Sequence, residues 1–130
     1  KLDPFEVWGD GEQIRNWTHV DDIVSGTIAA AEKINDGTSI NLGTIERIKV
    51  RECAQQVIDT LNPGASIKLL TDKPTGPLNR VASNALAQQL LGWSPQTKFA
   101  DGLQKTIDWY VNSKTTEQAS ADLTRKLVGR

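Results

Sequence analysis

Apolar positions along the chain alternate between two spacings, and the changes mark out short strands and helices. Phe5 to Trp8 reads as a short strand, followed by the turn Gly9-Asp10-Gly11. From Gln13 to Val20 the side chains alternate: Ile14, Asn16 and Thr18 fall on one side, Arg15, Trp17 and His19 on the other. This predicts a second strand that forms a hairpin with the first or enters a larger sheet. With Asp21 as N-cap, a helix is expected from about Asp22 to Ile34, its inward face being Ile23, Val24, Thr27, Ile28, Ala31 and Ile34. Short extended stretches follow at Ser39–Leu42 and Glu46–Lys49.

A second helix is expected over Val50–Leu61, where Val50, Cys53, Ala54, Val57, Ile58 and Leu61 make one stripe and Asn62-Pro63-Gly64 ends it. Ser66–Leu70 reads as a strand, and Thr71–Asn79, with two prolines and a glycine, as a loop. A third helix spans about Asn84–Leu91, with Ser83 as N-cap and Gly92 at its end. A fourth runs about Phe99–Asn112, with Phe99, Leu103, Thr106, Ile107 and Tyr110 facing inward. Residues 1–113 thus form the main part, and 114–130 a polar tail or docking arm in which Ala119, Leu123 and Leu127 permit a thin amphipathic helix. Short strands alternating with about four helices predict an α/β fold with too few strands for a doubly wound sheet. The sheet is expected to leave an edge open to pairing.

Composition narrows the function classes. With 38% hydrophobic and 24% charged residues, the chain has the make-up of an ordinary water-soluble domain. A net charge of −1 gives no field that would draw it to nucleic acid or an anionic membrane. The single cysteine, Cys53, excludes an internal disulfide and a multi-cysteine metal site, and a reducing cytoplasm fits. The sequence opens on Lys1 and contains no methionine, which fits either N-terminal trimming or a piece of a longer protein.

Three groups of segments, in order, carry a resemblance: Val7-Trp8-Gly9-Asp10-Gly11-Glu12-Gln13-Ile14-Arg15-Asn16-Trp17-Thr18-His19-Val20-Asp21-Asp22, then Ile40-Asn41-Leu42-Gly43, and last Asn79-Arg80-Val81-Ala82-Ser83 with Leu90-Leu91-Gly92-Trp93-Ser94-Pro95 and Gly102 to Tyr110. Across about residues 5 to 112 the chain resembles the C-terminal part of the extended short-chain dehydrogenases/reductases, the NAD-dependent sugar-nucleotide epimerases and dehydratases. The resemblance implies a Rossmann-type fold whose cofactor-binding N-terminal half is absent here. It implies an isomerase or lyase parent that uses NAD or NADP, with none expected on this chain alone. In that family the helix and strand of residues 22–42 pack on the cofactor-binding sheet and the later helices form the sugar-binding lobe.

The same resemblance implies site residues. Arg15 and Arg80 correspond to contacts with the diphosphate of a nucleotide-sugar, a role that suits the planar donor fork of guanidinium. Val7 and Trp8 correspond to the strand that passes the nucleobase. Many relatives carry aspartate where this chain has Ser83, which caps a helix but supplies no carboxylate. The family's catalytic Tyr-x-x-x-Lys pair has one formal match, Tyr110 with Lys114, on a late helix where the family has a plain terminal one, so no catalytic residue is assigned. Gly9-Asp10-Gly11 precedes a strand, not a helix, so it lacks the setting of a dinucleotide-binding turn.

Asp21 and Asp22 read as cap and dipole partners. His19 reads as a structural hydrogen-bonding group, Cys53 as inert, and Trp17, Trp93 and Trp109 as core. Three readings follow: a portion of a longer epimerase/dehydratase, inactive by itself; a stand-alone, non-catalytic sugar-nucleotide-binding module; or a domain that associates with itself or with a missing N-terminal half. No metal, nucleic acid or membrane partner is expected.

Overall fold

The computed structural model describes residues 3–128, with side chains as far as Asp122. Strands β1 (Phe5–Trp8) and β2 (Ile14–Arg15) precede helix α1 (Val20–Lys33), and β3 (Ile48–Lys49) leads straight into α2 (Val50–Leu61). Then come β4 (Ile67–Leu70), β5 (Asn79–Arg80), α3 (Ala85–Leu91), α4 (Phe99–Ser113) and α5 (Thr116–Val128). This is the expected α/β architecture, with a fifth helix added by α5. The Leu123 and Leu127 side chains of its expected stripe lie outside the described residues. No helix among the described residues is long and apolar enough to cross a membrane.

The strands form two small sheets. β1 pairs in parallel with β4, Phe5 opposite Ile67 and Trp8 opposite Leu70. Parallel neighbours need a crossover, and α2 supplies it while packing on β1. The hairpin expected between the first two strands therefore does not form: β2 joins a separate sheet, antiparallel to β3 and parallel to β5.

The second strand is also far shorter than its alternation suggests, because polar side chains take over the backbone pairing. The Asn16 amide donates to the Thr44 carbonyl and accepts from the Ala82 N–H at 2.7 Å. Thr18 Oγ1 accepts from the Thr44 N–H at 3.0 Å. His19, not Asp21, is the N-cap of α1, its Nδ1 accepting from the Asp21 N–H at 3.3 Å. The expected strand at Ser39–Leu42 is likewise irregular backbone, although Ile40 and Leu42 still pack on the core.

That core gathers Ala87, Leu91 and Trp93 against Ala29, Ala30, Ile34, Ile40 and Leu42. Helix α1 buries a different face from the one its large residues suggest. Val20, Val24 and Ile28 are 63%, 50% and 55% exposed, whereas Asp22 and Gly26 are buried. The reason is close approach: a Cβ on Gly26 would lie 2.7 Å from a Leu42 methyl and 3.0 Å from the Trp93 ring. Small residues let the helix seat here, and the large ones are left outside.

Three other expectations need correction. Asn84 caps α3, with Ser83 Oγ accepting from the Ala85 N–H at a long 3.4 Å; Gly92 ends the helix in the left-handed region at φ +69°. Of the tryptophans expected in the core, Trp93 is buried, Trp17 is partly exposed with its ring 6.4 Å from that of Phe99, and Trp109 is 64% exposed. On α4, Phe99 and Ile107 turn inward while Tyr110 is 41% exposed.

Candidate functional site

The two arginines singled out in the sequence meet across a strand pair. β2 and β5 run in parallel with Arg15 opposite Arg80. Register partners project from the same face of a pleated sheet, so the two cationic side chains leave together. Like charges directly opposite cost free energy unless an anion lies between them.

The surroundings hold this pair without neutralising it. Upstream, Gly9 and Gly11 have φ of +80° and +73°, as the tight turn into β2 requires. Asp10 accepts from the Glu12 N–H at 3.0 Å, and the Gly11 and Gln13 carbonyls accept from the Arg51 and Val50 amides. Glu12 is the closest acidic residue in sequence, but its carboxylate is spent on Lys49 at 2.8 Å and Arg51 at 2.6 Å. The Lys49 hydrogen bond, helped by the Arg51 charge, holds that carboxyl below its usual range.

Arg15 is partly buried and lies along the segment before β5. Its Nη1 donates to the Ile14 and Pro77 carbonyls at 2.8 Å each, and Nη2 donates to the Thr75 carbonyl at 3.4 Å. Arg80 is exposed, and among the described residues no hydrogen bond or ion pair engages its guanidinium. The chain thus presents one arginine anchored in the loop and one free to reach.

Val7 and Trp8 lie on β1, in the other sheet. Val7 is buried, and like Phe5 and Gly9 it turns its backbone groups toward β4, so the expected contact of Val7 with a base is open to neither its side chain nor its backbone. Trp8 is nearly half exposed. The Phe5 and Gly9 amides donate across to Ser66 and Leu70 at 2.8 Å. In a parallel ladder alternate residues turn the other way, so the Glu6 and Trp8 backbone groups face the open edge of β1. A cavity of about 460 Å³ adjoins them, lined among others by Trp8, Gln13, Trp17, Pro74 and Thr75. Among the described residues, the buried Gln13 amide oxygen there has no hydrogen-bond partner.

A family model described as GDP-mannose 4,6 dehydratase matches residues 1–106. The chain belongs to this family of nucleotide-sugar epimerases and dehydratases. It is 31% identical over 108 residues to GDP-L-fucose synthase 1 of Arabidopsis thaliana, covering 82% of this chain and 33% of that protein. It is 33% identical over 107 residues to GDP-mannose 3,5-epimerase 1 of Oryza sativa subsp. indica, covering 82% of this chain and 28% of that protein. Among solved structures, the UDP-glucuronic acid 4-epimerase of Bacillus cereus in complex with UDP-glucuronic acid and NAD matches with a TM-score of 0.76 and 29% identity, over 85% of this chain and 36% of that one. The chain therefore spans about a third of the length of the curated relatives it matches.

Neither formal match to the family's cofactor-site motifs has the setting that motif needs. Gly9-Asp10-Gly11 runs into β2 instead of a helix, so it offers no helix N-terminus to a pyrophosphate. The formal Tyr-x-x-x-Lys match is arranged otherwise too. Lys114 Nζ lies over the Tyr110 ring, 5.7 Å from its centroid, and pairs with Asp122. Among the described residues no group of His, Cys, Asp and Glu could hold a metal ion.

Sequence reasoning missed two structural anchors near the site. Asp22 is only 5% exposed, and its carboxylate accepts from the Gln96 and Thr97 amides at 3.0 Å each. Burial pushes its carboxyl up, but those amides outweigh it and hold it below the usual range. Glu46 accepts from the Phe99 N–H at 2.7 Å and so caps α4 from a distant loop. Neither role has a local signal, since each partner is remote in sequence.

Proposed function

We propose that this chain is the substrate-side portion of an NAD(P)-dependent nucleotide-sugar epimerase or dehydratase, binding the nucleotide diphosphate at Arg15 and Arg80. The observation that supports this reading is the register of β2 and β5, in which Arg15 and Arg80 are partners. Arg80 is free to form charge-assisted hydrogen bonds with phosphate oxygens, while Arg15 adds positive charge and its uncommitted N–H groups. Trp8 is nearly half exposed and offers a ring on which a base can stack, and the open edge of β1 has donors and acceptors for base edges.

On this reading the chemistry belongs to the remainder of a longer protein, which supplies NAD or NADP and the groups that move the sugar proton. The chain alone binds and does not turn over. The apolar face of Val20, Val24 and Ile28 supports a further polypeptide layer, either that remainder or a second copy.

Titration calorimetry of the chain with UDP-, GDP- and dTDP-sugars tests the binding. At least one is expected to bind, and Arg80→Ala to weaken it about 10- to 100-fold, the loss of one charged hydrogen-bonding group. No heat with any of the three, or an unchanged affinity in the variant, rules the site out. Epimerised or dehydrated product from the chain with NAD alone overturns the non-catalytic part.

A further inference from the structure

The geometry points to Arg15 as a latch: a positioning residue that seats the segment from Thr75 to Leu78 and thereby sets where Arg80 stands. Both hydrogens of Nη1 are spent on backbone carbonyls, those of Ile14 and Pro77, and Nη2 reaches a third, that of Thr75. A guanidinium fork can span three carbonyls because its donors are fixed in one plane. Every residue from Thr71 to Arg80 is exposed, so the segment has no apolar anchor of its own. Its other ties are few. The Ile14 N–H donates to the Leu78 carbonyl at 2.8 Å, and Thr75 rests against Gly9, where a Cβ would lie 2.0 Å from its methyl.

The latch closes immediately before β5. Pro77 and Leu78 lead directly into Asn79 and Arg80, so the fork that fixes the Pro77 carbonyl also fixes the start of that strand. Gly76 bends the segment at φ +69° beneath the fork; a Cβ there would lie 3.8 Å from Arg15 Nη2. The two arginines therefore divide the work. Arg15 holds the loop, and Arg80 is the exposed contact. The consequence for ligand affinity rests on the diphosphate reading above; the latch itself does not.

Amide hydrogen exchange on the ligand-free 130-residue chain tests it, read at Ile14 and Ala82, whose N–H groups donate to Leu78 O and Asn16 Oδ1. Arg15→Lys keeps the charge but loses the fork. It is expected to speed exchange at both amides by about tenfold, while Arg80→Lys leaves them at the wild-type rate. Gly76→Ala disturbs the same segment with Arg15 intact and is expected to match Arg15→Lys. Inorganic pyrophosphate is the ligand probe: Arg15→Lys and Gly76→Ala should each weaken it about tenfold. Wild-type exchange in Arg15→Lys overturns the latch, and faster exchange with undiminished pyrophosphate affinity overturns the coupling to binding. If Arg80→Ala binds pyrophosphate like wild type, the diphosphate site fails, and the exchange result still decides the latch.

Discussion

Arg15 and Arg80 come from distant parts of the chain yet stand directly opposite each other across β2 and β5. No carboxylate neutralises either one among the described residues, so the ligand-free chain carries their repulsion. Arg80→Ala should leave the ligand-free chain as stable as wild type or more stable by about 0.2–1 kcal/mol. It should also cut the stabilisation by UDP or GDP, which at a hundredfold excess over the wild-type Kd is about 2.7 kcal/mol, to about 0.4–1.4 kcal/mol. Thermal melts with and without nucleotide measure both effects.

Asp22 gives a pH dependence. Its folded pKa lies below the ordinary value of 3.8, so its stabilisation is fully present above that value. It is lost as pH falls through the lower folded pKa. Urea midpoints should therefore fall below about pH 4, within the acid range of aspartate. Asp22→Asn should remove this part of the slope and cost about 1.5–3 kcal/mol at pH 7, since two amides lose a charged acceptor.

Gly9 is required twice, for its φ of +80° and for the room it leaves Thr75. Gly9→Ala should destabilise the chain by about 1–3 kcal/mol. Adding Thr75→Gly should recover the part due to the contact with Thr75, and neither the part due to Gln13 Nε2, 2.7 Å from the added Cβ, nor the part due to the backbone. Denaturant unfolding of the single and double variants separates the first part from the others.

The tryptophans offer a packing contrast. Trp93→Ala should cost about 3–5 kcal/mol, because it empties the centre of the core. Trp109→Ala, on an exposed part of α4, should change stability by no more than about 0.5 kcal/mol. Equal losses in the two variants would contradict this division between core and surface.

Burial pushes the Cys53 thiol above its ordinary value, so little thiolate exists near neutral pH. Iodoacetamide should label the native chain at least about tenfold more slowly than the urea-unfolded chain at pH 8. Intact mass against time provides the rates.

Local chemistry alone determined much of this protein. The apolar stripe from Val50 to Leu61, closed by Asn62-Pro63-Gly64, marks α2 at the bounds the structure has, because spacing and stop signals lie within one stretch of chain. The three groups of segments, which include the motifs around Arg15 and Arg80, likewise carried the family resemblance. Only the tertiary structure decided which strands pair, since hydrogen bonds between remote strands have no local period. It sent β1 to β4 and β2 to β5, and so set Arg15 beside Arg80. It also chose the buried face of α1 by fit, not by hydrophobicity: Gly26 admits Leu42 and Trp93, while Val24 and Ile28 stay outside. The sequence carried the two arginines as separate motifs. Their shared face, and the loop carbonyls that hold one while the other stays free, arise only when the chain brings its distant segments together.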